Sequence, residues 1–368
     1  MTSRERKIRY AVVGAGNIAQ VAVLPAFANA TENSELVAVI SSDADKRQAL
    51  AKRHNLEHVG DYSELETILS RGKIDAVYIA VPNSGHREFT ERAARVGVHV
   101  LCEKPMAETV EDCEAMIAVC KQNDVRLMIA YRLHFEEANL RAIELVQTGK
   151  LGNPRIFTSV FSQQVRPDDV RTRGELGGGA IFDVGVYPIN AARYLFAAEP
   201  DEVFATSFNT DERLHGVDET TTAILRFPGG RVAQLTSSLC AAPVSTYRVV
   251  GSKGDLRVEP AFGMGELEHH LTLDGKTTSH KFAAHDQFAP ELIAFSNSVL
   301  RGSEPEASGE EGLADVRIVQ AILESARSGK VVRLPPFERS QRPNLTQLIT
   351  KPAHKPVAPV HAPPPTIK

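Results

Sequence analysis

The run Ile8-Arg9-Tyr10-Ala11-Val12-Val13 followed at once by Gly14-Ala15-Gly16-Asn17-Ile18-Ala19 constrains this chain more than any other stretch. A β-type apolar run that ends in a G-x-G-x-x-A turn and leads into a helix is the unit that opens a dinucleotide-binding fold. Each position has a physical reason. Gly14 permits the tight turn, Gly16 lets backbone approach a pyrophosphate, and the helix start at Asn17 and Ile18 presents free N–H groups to negative charge. The predicted helix runs over 17–29 and is interrupted at Pro25. The unit then repeats: a strand over 35–40, a polar Ser41-Ser42-Asp43 corner and a helix over 44–54. Strands at 76–80, 99–101 and 126–130 alternate with helices at 62–70, 87–96 and 110–123. Such alternation predicts a doubly wound parallel sheet.

The pattern changes near Gly152. Strand-like runs at 155–164, 201–209, 220–227, 231–239, 245–250, 255–259 and 267–273 are separated by turn signals such as Pro228-Gly229-Gly230 and Asp274-Gly275. These predict a mainly antiparallel sheet. Helices are expected at 179–196, 290–300 and 309–328, so the second half reads as α+β. The predicted division is 1–130, 131–337 and a tail over 338–368. Seven prolines and scattered apolar residues in that tail predict an extended or disordered segment, and an arm along a neighbouring subunit is the other reading.

Composition narrows the function classes. The 368 residues carry 42 Lys+Arg against 46 Asp+Glu, a net charge of -4, which gives no general drive toward nucleic acid or anionic lipid. Met1 to Arg9 shows no apolar signal segment, and a cytoplasmic location is expected. Cys102, Cys113, Cys120 and Cys240 have no metal-ligand spacing and read as reduced, mostly buried thiols; His134, His269 and His270 likewise suggest no metal.

Two further places carry chemistry. At the end of the second strand, where a carboxylate would bond the ribose of NAD, this chain has Ser41, with Ser42, Lys46 and Arg47 nearby. Hydroxyls and cations suit a 2′-phosphate, so NADP is favoured, while Asp43 keeps NAD open. The run Val98 to Pro105 ends a strand with Glu103-Lys104-Pro105, which stands Lys104 at the C-terminal edge of the parallel sheet, where ligands bind.

In order and spacing, Gly14 to Ala19, Val81-Pro82-Asn83 with His86, and Glu103-Lys104-Pro105 resemble the Gfo/Idh/MocA oxidoreductases. Ser41 to Lys46, Tyr131 to Phe135, Gly177-Gly178-Gly179 with Asp183 to Tyr187, and Gly309 to Gly312 with Asp315-Val316-Arg317 narrow the likeness to its glucose-fructose oxidoreductase branch. The resemblance spans about 7–334. It implies an α/β fold: an N-terminal Rossmann domain, then an α+β domain with an open-faced, mainly antiparallel sheet that forms a homodimer or homotetramer. It implies cofactor contacts at Gly14, Gly16, Asn17, Ile18, Ser41, Ser42, Lys46, Tyr62, Pro82, Asn83, His86, Glu103, Lys104 and Arg132. It also implies catalytic roles for Lys104, Asp183 and Tyr187, with Arg132 joining them at the substrate. Many members have His where this chain has Tyr187, and Asn190 replaces a further Asp of some relatives. Arg132, Arg171 and Arg173 are open between ligand contact and structural ion pairing.

The implied activity is oxidation of an aldose at C1 by NADP. A tyrosine of ordinary pKa near 10 is a weak base at neutral pH, and a neighbouring lysine cation favours its phenolate form. Asp183 and Tyr187, four apart, project from one helix face. The resemblance leaves open whether NADP stays bound and is recycled on a second aldose or ketose. Alternatives are reduction of a keto-sugar of the anhydrofructose type, a dihydrodiol-type dehydrogenase, and a non-catalytic sugar or nucleotide sensor.

Overall fold

A computed structural model describes residues 6–214 and 216–367; residues 1–5 of the N-terminal segment, on which the localisation expectation partly rests, lie outside them. The first half forms a six-stranded parallel sheet of β1 (Ile8–Val13), β2 (Ser34–Ile40), β3 (His58–Gly60), β4 (Ala76–Ile79), β5 (His99–Glu103) and β6 (Leu127–Ala130), in the order 3-2-1-4-5-6. That order reverses direction at β1, which places the crevice beside Gly14. All four residues of β4 are buried, as expected for strands covered on both faces. Short β3 was not anticipated, because three residues with only Val59 strongly apolar leave little periodicity.

Gly14 has φ +100°, and a Cβ there would lie 2.4 Å from the Ala80 carbonyl oxygen. No other residue fits so close to the neighbouring strand. The following helix begins with a π turn over Ala19–Val23, just before Pro25, whose missing N–H the widened turn accommodates.

The second half builds a nine-stranded sheet from β7 (Pro154–Gln164), β8 (Glu202–Phe208), β9 (Thr220–Phe227), β10 (Arg231–Ser238), β11 (Cys240–Gly251), β12 (Gly254–Val258), β13 (Leu267–Leu273), β14 (Lys276–Phe282) and β15 (Val332–Arg333). The order is 14-13-12-11-7-10-9-8-15, antiparallel except for the parallel pair β7 and β10. One face packs under helices; the other leaves Ile156, Val160, Phe204, Phe208, Ile224 and Val244 exposed. A helix over Glu137–Gln147 was not anticipated, although Leu140, Ile143 and Val146 give it a buried stripe. β14 was missed too, since six of its seven residues are polar or exposed.

The helix Gly309–Ser328 joins the halves. Leu313 and Val316 enter the first core, while Ile318, Val319 and Ile322 enter the second. Cys102, Cys113 and Cys120 are buried free thiols and Cys240 is half-buried. No helix among the described residues is long and apolar enough to cross a membrane.

The tail lies along its own chain. Arg339 pairs with Glu311 at 2.9 Å and Arg342 with Glu199 at 2.8 Å. Farther on, Pro352 bridges to His285, and Thr366 bridges to Val165. Buried carboxylates and exposed strand ends in distant parts of the sequence supply these anchors, which tail composition alone does not reveal.

Candidate active site

The C-terminal edge of the parallel sheet faces the helix that follows β7. That helix opens with a π turn over Ile181–Gly185, then continues as an α-helix over Val186–Phe196. Its start is fixed by the three glycines before it. At Gly178 a Cβ would lie 2.5 Å from the Arg171 carbonyl oxygen, and at Gly179, φ +117°, 2.4 Å from Asp218 Oδ1. The Asn83 side-chain amide of the first domain donates to the Gly177 carbonyl at 2.6 Å, so the glycine turn is pinned across the cleft.

Lys104 and Asp183 meet there. The Lys104 ammonium donates to the Asp183 carbonyl at 2.9 Å and stands 3.7 Å from Oδ1. Its Nζ also lies over the Tyr187 ring, 4.6 Å from the centroid. Arg132 Nη2 is the cation nearest the phenol, donating to the Tyr187 oxygen at 3.3 Å. Lysine and tyrosine are thus together, with lysine on the ring face and arginine at the hydroxyl.

Burial alone would raise the Asp183 carboxyl, but Arg171 at 2.7 Å, Lys104 and a 2.8 Å bond from Gln163 hold it below its ordinary range. Asp183 is a carboxylate that positions Lys104. Arg171 therefore forms a structural pair on the active-site carboxylate, and Arg173 is exposed away from it. Arg132 is held by the carbonyls of Phe262, at 2.6 Å, and Gly263, and by the Gln287 amide oxygen. Gln163 and Gln287 were missed by sequence reasoning, because each meets its partner only through tertiary contact and neither lies in a motif.

Glu103 sits beneath Lys104. Burial pushes its carboxyl up, Lys104 opposes this, and the Tyr78 hydroxyl donates to it at 2.8 Å. His86 is buried, with ring nitrogens 2.9 Å and 3.1 Å from the carbonyl oxygens of Pro105 and Val81, and burial lowers its pKa. These carbonyls belong to the turns that carry Pro82 and Lys104, and the neutral ring donates to one of them. Tyr62 packs on Phe89 with ring centroids 4.9 Å apart.

At the end of β2, Ser41 is buried, Ser42 is exposed, and Asp43 caps the next helix by accepting from the Lys46 N–H at 3.0 Å. Arg47 is spent on the Ser41 carbonyl and Asp61, whereas Lys46 Nζ makes only a 3.9 Å approach to Asp43. The glycine turn fits a diphosphate: a Cβ built on Gly16 would meet nothing within 4 Å, and the helix N-terminus at Asn17 and Ile18 adjoins that space.

Asn190 sits one turn beyond Tyr187, bonded to His134 at 2.7 Å and to Glu311 and Asp315 at 3.0 Å each. An Asp here would add a third carboxylate to a buried pair already held by Arg193. Asparagine is the residue this network accommodates.

A glycine turn at the sheet's switch point and a lysine–aspartate–tyrosine cluster across one cleft define a two-domain, dinucleotide-dependent oxidoreductase. Residues 8–131 match the family described as "Oxidoreductase family, NAD-binding Rossmann fold", and 139–257 match the GFO/IDH/MocA C-terminal domain. The chain belongs to the Gfo/Idh/MocA oxidoreductase family. It is 35% identical over 342 residues to D-xylose 1-dehydrogenase [NADP(+)] of Haloarcula marismortui, across 90% of this chain and 95% of that one. The crystal structure of aldose-aldose oxidoreductase from Caulobacter crescentus, complexed with glycerol, superposes with a TM-score of 0.85 at 38% identity, covering 89% of this chain and all of that one. KijD10, a 3-ketoreductase from Actinomadura kijaniata in complex with NADP and TDP-benzene, gives 0.80 at 31% identity, covering 87% and 98%.

Proposed function

We propose that this protein is an NADP-dependent sugar oxidoreductase that oxidises an aldose at C1 to the lactone. The observation that carries the reading is the convergence of Lys104, Asp183 and Tyr187 in one cleft, with Arg132 on the tyrosine hydroxyl. Similarity to a xylose dehydrogenase and an aldose-aldose oxidoreductase supports the substrate class. Gly14, Gly16, Asn17 and Ile18 would hold the diphosphate of NADP, and Ser42 with Lys46 its 2′-phosphate. Bound NADP supplies a hydride acceptor at the nicotinamide C4.

The residues of the chain handle the proton and the orientation. Tyr187, as its phenolate, takes the C1 hydroxyl proton as the C1–H bond breaks, and the Arg132 and Lys104 cations stabilise the negative charge that the Tyr187 oxygen and the C1 oxygen share during the transfer. Asp183, fixed by Arg171 and Gln163, keeps Lys104 at that place through its carbonyl and carboxylate. In the reverse direction Tyr187 returns the proton to a new alkoxide, so the same cleft serves reduction of a second sugar. The exposed sheet face with Ile156, Val160, Phe204 and Ile224 would form the contact between copies in a homodimer or homotetramer.

The test is the absorbance near 340 nm of purified protein given glucose or xylose, first alone and then with free NADP. A band supports the reading; its appearance without added NADP, and loss on a second sugar, means the cofactor is retained. No band with any aldose at saturating NADP, from protein that binds NADPH, refutes aldose oxidation.

A further inference from the structure

The last residues of the chain cross the entrance of the dinucleotide crevice from one domain to the other. On the first domain, Gln20 and Val360 exchange two hydrogen bonds, Nε2 to the Val360 carbonyl at 2.9 Å and the Val360 N–H to Oε1 at 2.8 Å. Asn17, the first helical residue after Gly16, donates its amide to the Ala362 carbonyl at 2.8 Å. His361 reaches Asp43, at the corner after β2, at 3.4 Å. On the second domain the Arg166 N–H donates to the Pro365 carbonyl at 2.8 Å and the Ile367 N–H to the Gln164 carbonyl at 2.9 Å, bracketing the bridge between Val165 and Thr366. Gln164 adjoins Gln163, which holds Asp183.

Pro363 and Pro364 lie between the anchors at Ala362 and Pro365. Three prolines in a row favour a stiff, extended chain of about 3.1 Å per residue, which crosses a gap without needing hydrogen bonds of its own. Ala362 is buried, and a Cβ built on Gly16, the neighbour of the Asn17 that holds Ala362, would meet nothing within 4 Å.

We propose that residues 360–367 are a strap over the diphosphate and adenosine end of the bound dinucleotide, and that the dinucleotide leaves only when the strap lifts. The strap completes the site that Gly14 to Ile18 begin: one anchor lies on the diphosphate-binding helix, one at the ribose corner, and one beside the catalytic helix. This rests on dinucleotide binding at the glycine turn and not on the choice of sugar.

The experiment measures NADPH release by fluorescence, mixing the loaded full chain with excess NADP. It repeats this with a chain ending at Val357 and with Ile367→Pro, which deletes the N–H given to Gln164. Release about tenfold or more faster in the shortened chain, and intermediate in I367P, is expected; each 1.4 kcal/mol of lost anchoring is one decade. Thermal melting of each ligand-free protein reports folding. If the shortened chain does not fold, I367P decides, and release at the full-length rate there overturns the strap. Equal rates in a folded shortened chain overturn it as well. Failure of the full chain to bind NADPH would overturn the dinucleotide reading itself, a separate result from rapid release.

Discussion

Replacing Lys104 by alanine separates the chemistry of the cleft from its architecture. The ammonium makes one 2.9 Å bond to the Asp183 carbonyl, one 3.7 Å ion pair and one contact with the Tyr187 ring. Deleting it leaves Asp183 its Arg171 pair and its Gln163 bond, and leaves Glu103, which loses the Lys104 charge, the hydrogen bond from the Tyr78 hydroxyl, so neither buried carboxylate is stranded. Stability should therefore change by no more than about 1 kcal/mol, in contrast to the loss expected when a buried charge is orphaned. Removing a preorganised positive group from a site where negative charge develops costs about 10²–10³ in turnover, or about 2.7–4 kcal/mol of barrier. The assay is steady-state oxidation of xylose or glucose with saturating NADP, beside NADPH titration and urea denaturation of the same preparations. A loss of kcat of that size with folding and NADPH affinity intact is expected, and Lys104→Arg should recover part of it. Turnover within about fivefold of the unmodified protein would refute the proposed role, since that is under one decade of barrier.

Other consequences are open to measurement. Lys46→Ala should weaken NADPH binding by about 10- to 100-fold and leave NADH binding unchanged, because a charge-assisted contact to the 2′-phosphate is worth about 1.5–3 kcal/mol; equal losses for both would place the phosphate elsewhere. Arg193→Met should destabilise the protein by about 3–5 kcal/mol, read from urea denaturation, because Glu311, Asp315 and Glu199 each lose a buried partner within 2.6 Å. The depressed Asp183 carboxyl contributes stability that is fully present above its unfolded pKa of about 3.9 and is lost as pH falls through its lower folded value. The stability difference between unmodified protein and Asp183→Asn should accordingly stay level from neutral pH to about pH 5 and shrink below pH 4.

Much of the first domain was legible because its signals are local. The strand-to-glycine junction at Val13-Gly14, the polar corner at Ser41 and the strand-ending Glu103-Lys104-Pro105 each combine an apolar run with a residue that ends it, a glycine, a serine pair or a proline. The positions of Asp183 and Tyr187 on one helix face were legible from their spacing. What surrounds them was not. Arg171 and Gln163 reach Asp183 from two separate segments, and Gln287 reaches Arg132 across 155 residues of sequence. His86 sits in a motif with the look of a ligand contact, and in the fold both its nitrogens lie within hydrogen-bond distance of carbonyl oxygens, of which the neutral ring favoured by burial donates to one. The helix 137–147 escaped notice because its start carries none of the usual capping residues: Glu136 caps it by accepting from the Ala138 and Asn139 N–H groups.

The cleft is assembled by contacts that cross it, and these come from few places. Helix Gly309–Ser328 puts apolar side chains into both cores, which removes most freedom for one domain to slide on the other. Asn83 then pins Gly177, and the tight packing of Gly178 and Gly179 converts that single bond into a fixed start for the helix carrying Asp183 and Tyr187. Lys104, standing on the other domain, meets them only if all three constraints hold at once. A lysine on a strand edge and a tyrosine on a remote helix can act as one unit for this reason: their distance is set by packing on both sides of the cleft, and the flexible side chains themselves need supply only the last ångström.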